Sequence, residues 1–198
     1  TGAETPRDLS IPGRELKGIH FALEMLSQQN RIIEGQTFAK DKMVNAKGKK
    51  VEGNAFNVSI ATQYNLPVEK RELPVFVAEI EGAVKYILPI YGAGLWGPIW
   101  GYISLDANKD NIYGTFFDHQ GETPGLGAEI TTPQFNNQFQ NKQVFSGDQL
   151  VGIAVVKGGN ATGTHEVDAI SGGTITSKGV EKMLKNYLTY YEPFLKQK

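Results

Sequence analysis

Leu73-Pro74-Val75-Phe76-Val77-Ala78-Glu79-Ile80, then Glu81-Gly82, then Val84-Lys85-Tyr86-Ile87-Leu88-Pro89-Ile90-Tyr91, decides how this chain is read. Two runs rich in branched and aromatic residues flank a Gly-containing turn, which is the signature of antiparallel strands, and Pro89 marks an edge or a bend. The pattern repeats downstream. Trp100 to Leu105 reads as a strand, Asp106 to Asn111 as a polar turn and Ile112 to Phe117 as the returning strand. Phe145, then Leu150 to Val156, predicts one more strand. Upstream, Met43 to Val51 reads as two short strands around a turn containing Gly48, while Asn57 to Gln63 is too short and mixed to assign.

Helices are expected at the two ends. Leu16, Ile19, His20, Ala22, Leu23 and Leu26 fall on overlapping helical rows and predict a helix from Arg14 to Gln28. Val180, Met183, Leu184, Tyr187, Leu188 and Tyr191 recur at i, i+3, i+4, i+7, i+8 and i+11. This C-terminal helix is expected to start at an N-cap, Thr176 or Ser177, to carry Glu181 in its first turn, and to end before Pro193. Hairpins in series with helices at both ends give an α+β fold: a mainly antiparallel β-sheet with an N-terminal and a C-terminal helix packed on it, rather than a doubly wound parallel sheet. The expected organisation is a polar linker over 1–13 and one domain over 14–198, with a helix-and-hairpin part at 14–72 and a core at 73–198.

Composition narrows the chemistry. With 20 basic and 21 acidic side chains the formal net charge is −1, which argues against a nucleic-acid surface. Lys40, Lys42, Lys47, Lys49 and Lys50 cluster, but read best as the solvated edge of the small hairpin. There are no cysteines, which excludes disulfides, thiolate metal sites, Cys-ligated clusters and a cysteine nucleophile. His20, His119 and His165 are not spaced as a shared metal site. No apolar run approaches the ~20 residues that span a bilayer as a helix.

One segment carries the features of an anion site: Asp168-Ala169-Ile170-Ser171-Gly172-Gly173-Thr174-Ile175-Thr176-Ser177, directly before the C-terminal helix. Two glycines let the backbone approach a ligand, and the first-turn N–H groups and the helix dipole favour negative charge there. On chemistry alone, a loop with a Ser/Thr helix cap is the favoured explanation, because Gly-Gly next to Thr is common. It is not a Walker loop, and Gly92-x-Gly94 leads into Pro98 and a strand rather than a helix, so a dinucleotide fingerprint fails too.

Asp168, Ser171, Gly172, Gly173 and Thr174 resemble the flavinylation motif Asp-x-x-Ser-Gly-(Ala/Gly)-Thr of covalent FMN-binding domains, with Gly173 where Ala is usual. Gly94 to Tyr102 and His119 to Gly127 are similar to the Gly-Leu-Trp and Glu-Thr-Pro-Gly-Leu-Gly segments of one branch of that family, the C subunits of the Na⁺-translocating NADH:quinone reductase. The resemblance runs in order from Trp96 to the final helix. It implies FMN held as a phosphoester on Thr174, with Ile175 and Thr176 beside it. It implies a flavin ring between Trp96 and Leu126, with Thr123, Gly125 and Gly127 at the ring edge or ribityl chain. It implies a flavin transferase that attaches FMN, for whose recognition, or for loop structure, Asp168 serves. It also implies electron transfer with the other subunits of a Na⁺-transporting, ubiquinone-reducing complex. The complex would lie in the inner membrane, with this domain periplasmic and anchored through a segment preceding residue 1. Competing readings are the G subunit of a related ion-translocating electron-transport complex and a non-redox extracytoplasmic binding module.

Overall fold

The computed structural model describes residues 42–45, 50–51, 55–80 and 82–197. β1 (Lys42–Asn45) and β2 (Lys50–Val51) pair antiparallel, as the pattern over 43–51 predicts. Their turn, the linker over 1–13 and the helix expected over 14–28 lie outside the described residues. β3 (Glu72–Ile80) and β4 (Ala83–Ala93) form the central hairpin across Gly82, whose φ of 76° is the left-handed conformation that glycine supplies without strain. β5 (Pro98–Asp106) and β6 (Ile112–His119) continue the meander. The sheet order is β2-β1-β3-β4-β5-β6, with each neighbouring pair antiparallel.

Pro89 sits in β4 at a place where the β3–β4 ladder has stopped. The last pair is Phe76↔Ile87, so the same register would set Pro74 against Pro89. Neither proline has an N–H to donate, and the gap is filled from outside the sheet: the Tyr191 hydroxyl donates to Pro74 O at 2.8 Å and reaches Pro89 O at 3.4 Å.

Between the sheet's first strands lies α1 (Ile60–Tyr64), capped by Ser59, whose Oγ accepts from the Thr62 N–H. This settles the undecided stretch over 57–63. After β6 the chain turns through a 3-10 helix over Gly127–Thr131 and α2 (Pro133–Asn136), with Thr132 as N-cap and Pro133 at its first position. Phe117, Phe135 and Phe139 meet there, with ring centroids 5.3–5.9 Å apart.

The strand expected over 150–156 is not continuous. β7 (Phe145–Ser146) and β8 (Gln149–Leu150) form a small hairpin, Gly152 at φ 68° turns the chain, and β9 (Ala154–Val156) follows. β9 pairs in parallel with β10 (Glu166–Asp168), a three-residue strand too short to leave a periodic signal.

α3 (Thr174–Leu195) lies across the sheet, and the expected stripe is its buried face: Val180, Met183, Leu184, Tyr187, Leu188 and Tyr191 are each at most 1% exposed. Burying each such side chain contributes about 1.5–3 kcal/mol. Both predicted ends are corrected. The helix begins at Thr174 with Gly173 as N-cap and no side-chain cap, so Thr176 and Ser177 are inside it and buried, and Glu181 is in the second turn, paired with Lys178 at 2.6 Å. The helix also continues through Pro193. A proline so near the end forfeits one backbone bond, and the burial of Phe194 and Leu195 beyond it offsets that loss.

Candidate functional site

Three stretches converge at the N-terminal end of α3: the β4–β5 connection carrying Trp96, the Glu122–Gly127 loop after β6, and the Ser171–Thr174 segment. Small residues make the approach possible. A Cβ on Gly179 would sit 2.5 Å from Ala93 O, and one on Gly92 would sit 2.9 Å from Met183 Cβ, so α3 touches the end of β4 backbone to backbone. Gly172, at φ 73°, leaves the space that Leu126 occupies; a Cβ there would lie 2.6 Å from Leu126 Cδ2. Gly173 packs equally closely, with a Cβ position 3.0 Å from Ile170 Cγ2 and 3.1 Å from the Leu126 carbonyl. The methyl group usual at that position in the resembled motif would demand a shift of a few tenths of an ångström.

Thr174 opens α3 with its side chain exposed. Because Gly173 has no side chain to cap the helix, the first-turn N–H groups keep their donor capacity and the positive end of the helix dipole faces Thr174. Ser171 and Gly172 are exposed beside it, and Ile175 is 59% exposed. Ser177 braces the segment from within the helix: its Oγ donates to Gly173 O at 2.8 Å and accepts from the Ile170 N–H at 3.1 Å. Asp168 acts on loop structure. Its Oδ1 accepts from the N–H groups of Asn160 and Ala161, both at 3.0 Å, and its own N–H donates to Gln138 Oε1 at 2.8 Å. Thr174 borders a hollow of about 570 Å³ lined also by Val155, Lys157, Ile170 and Lys178.

Trp96 is 68% exposed, which excludes core packing, the commonest fate of a tryptophan. It borders a second hollow, of about 500 Å³, lined also by Tyr64, Tyr91, Leu95 and Pro98. Leu126 is 42% exposed and Leu95 45%, so large apolar side chains stand in solvent around one helix end. Thr123 is exposed, and its carbonyl accepts from the N–H groups of Leu126 and Ala128, both at 3.1 Å. The Gly125 N–H, expected at a ring edge, donates to Glu129 Oε1 at 3.0 Å.

Sequence reading places Glu122 in the Glu-Thr-Pro-Gly-Leu-Gly segment but not among the flavin contacts, because a carboxylate there would oppose anionic reduced flavin; the structure puts it at the centre. It is 4% exposed. Its Oε1 accepts from the Trp96 N–H at 2.9 Å, its Oε2 accepts from Thr176 Oγ at 2.5 Å, and its own N–H donates to His119 Nδ1 at 3.1 Å. A single carboxylate in a polar loop has no periodicity to mark it. The available signal was its place at the head of the Glu-Thr-Pro-Gly-Leu-Gly segment; in the structure a Cβ on Gly94 or Gly127 would run into its carboxylate.

These residues fit a planar ligand bearing a phosphate. A hydroxyl stands at an uncapped helix start, a glycine pair keeps the backbone close, and apolar side chains wait in solvent. Comparison with known proteins agrees. The family model described as FMN-binding domain matches residues 94–189. A curated relative from Pasteurella multocida, named as the C subunit of Na(+)-translocating NADH-quinone reductase, is 42% identical over 113 residues, covering 56% of this chain and 44% of the relative. One of the same name from Haemophilus ducreyi is 32% identical over 153 residues, covering 77% and 57%. The chain thus spans about half the length of these relatives. Among solved structures, the C subunit of the same reductase from Parabacteroides distasonis superposes with TM-score 0.78 at 46% identity, covering 87% of this chain and 85% of that one. NqrC of Shewanella oneidensis superposes with TM-score 0.69 at 26% identity, covering 83% and 85%.

Proposed function

This chain belongs to the FMN-binding domain family, in the branch formed by the C subunits of the Na⁺-translocating NADH:quinone reductase, and from that premise we propose that it carries FMN as a phosphoester on Thr174 and passes electrons within the membrane reductase. The observation that carries the reading is the pairing of the exposed Thr174 hydroxyl at an uncapped helix start with exposed Trp96 and Leu126 near the same end. FMN, when bound, supplies the electron-transfer chemistry; the protein holds and tunes it. During maturation the Thr174 Oγ would give up its proton and bond the FMN phosphorus of FAD as the pyrophosphate bond breaks and AMP leaves, which would set the ester next to the positive end of α3. Trp96 and Leu126 flank the ring, an arrangement suited to stacking on an aromatic face. Ser171, Gly172, Gly173 and Ile175 shape the attachment point, Thr176 and Asp168 hold it in place, and Thr123 borders the ring.

A flavin transferase installs the group during maturation, and the other subunits exchange electrons with it. Residues 1–13 act as a linker to a membrane anchor outside this chain, and residues 14–198 as one FMN-binding domain on the periplasmic side of the inner membrane. Among the described residues no helix is long and apolar enough to cross a membrane. The relatives above bear the name of the reductase subunit, which favours this reading over an electron-transport-complex G subunit or a non-redox binding module.

The test is intact mass after co-expression with a flavin transferase. We expect a gain of FMN minus water, localised to the peptide containing Thr174. Thr174→Ala is expected to show no gain, and full flavinylation of that variant would refute the assignment.

A further inference from the structure

We propose that Glu122 is the positioning residue of the flavin slot: its buried carboxylate fixes the Trp96 backbone against the first turn of α3, and with it the ring-stacking wall against the attachment point. This rests on the flavin reading of the site.

Glu122 touches neither the acceptor hydroxyl nor the exposed face of Trp96, yet it joins the segments that carry them. One oxygen takes the Trp96 N–H, and the other takes the hydroxyl of Thr176, two residues past Thr174. The third segment, the loop bearing Leu126, passes directly over the same group, because a Cβ on Gly127 would collide with both Glu122 Oε2 and Thr176 Oγ. On the Trp96 side, Gly94 makes the equivalent room. All three segments are therefore built around one carboxylate. Glu122 is in none of the ion pairs among the described residues, and its bonds from Trp96 and Thr176 come from neutral donors. Removing the carboxylate would strip the Trp96 N–H and the Thr176 hydroxyl of the acceptor they share, so the bonds to it hold the segments in place. What the carboxylate supplies is two oxygens in one plane, each hydrogen-bonded to a donor from a different segment in a defined direction.

The consequence is measurable in flavinylated protein. Glu122→Ala is expected to retain the mass gain on Thr174, since the acceptor segment is braced separately by Ser177 and Asp168. Its flavin fluorescence is expected to rise several-fold and its anisotropy to fall as the ring leaves Trp96. Glu122→Gln keeps an acceptor for Trp96 and presents an N–H to the Thr176 oxygen, so it is expected to restore wild-type anisotropy and spectrum. Thr176→Val, which removes one bond at nearly constant volume, is expected to fall between, and it carries the test if Glu122→Ala does not fold.

Wild-type anisotropy in Glu122→Ala or Thr176→Val would overturn the inference. So would a Glu122→Gln protein as mobile as Glu122→Ala, which would make charge rather than geometry the active property. Absence of any mass gain in wild type would instead overturn the flavin reading. The link itself is then read in flavin-free protein, where hydrogen exchange at the Trp96 amide is expected to accelerate in Glu122→Ala and not in Glu122→Gln; equal rates in all three would overturn it.

Discussion

Trp96 is a large apolar side chain standing 68% in solvent, an arrangement that costs hydration free energy unless something covers the ring. On the flavin reading, Trp96→Ala removes a stacking face and leaves the phosphoester intact. Flavin should stay attached, with lower anisotropy and brighter emission, while the unfolding free energy falls by much less than the ~3–5 kcal/mol lost on truncating a buried core aromatic. Chemical denaturation of the two proteins checks the second half: a core-sized loss would mean that Trp96 supports the fold. The family resemblance singled out Trp96 and Leu126, and the glycine and proline beside them fit their exposure. Gly94, Gly97 and Pro98 around Trp96, and Gly125 and Gly127 around Leu126, announce backbone that bends and makes room. Glu122 stood in the quoted loop segment, but its bridging role was not legible, since it lies in contacts with residues 26 positions before it and 54 after it.

The placement of α3 sets where Thr174 stands, and the helix is fixed to the sheet at both ends. Near its start the contact is Gly179 against Ala93 O, where a methyl group would arrive at 2.5 Å. Gly179→Ala should therefore destabilise the protein by roughly 1–3 kcal/mol through overpacking, even though alanine in a helix interior is favoured by about 1 kcal/mol; a lower thermal midpoint is the expected result. Toward its other end, Tyr191 bridges the carbonyls where two prolines interrupt the ladder. Tyr191→Phe should cost about 1–3 kcal/mol by leaving buried acceptors unsatisfied. Tyr187→Phe provides the contrast. The Tyr187 hydroxyl is buried with no hydrogen-bond partner among the described residues, so its removal should be neutral or stabilising. The buried stripe of α3 was readable from its spacing alone. Its ends were not, because capping rules favour Thr176, Ser177 and Pro193 as boundaries, whereas tertiary contacts draw Thr176 onto Glu122, Ser177 onto the 170–173 loop and Phe194 into the core. The parallel β9–β10 pair escaped for a related reason: three residues a side are too few to show a period.

At the scale of the whole molecule, burial shapes the response to alkali. Desolvation raises the pKa of both Tyr187 and Tyr191 above the ordinary 10.0, so each phenol stays protonated in the folded state at pH values where the unfolded chain ionises. Above about pH 10 the unfolded state then binds fewer protons than the native one, and stability falls as pH rises. Urea midpoints should hold from neutral pH to about 9 and drop beyond 10, and the Tyr187→Phe protein should lose less over that interval than wild type. The antiparallel meander and its covering helix were legible in the sequence because alternation and helical spacing are local signals. The convergence of three distant segments at one end of α3 is a product of topology, which no local pattern encodes. That end is also open, and its openness bears on the link proposed at Thr174. Stacking on an exposed wall is worth roughly 1–3 kcal/mol, less than the roughly 4.1 kcal/mol that corresponds to a dissociation constant of about 1 mM. A free flavin would be lost from such a surface at cellular concentrations. The proposed bond to Thr174 would replace that bimolecular equilibrium with an intramolecular one at an effective concentration on the order of millimolar. Occupancy then no longer depends on the flavin pool or on dilution. The ring can dock and undock repeatedly without ever being exchanged for another.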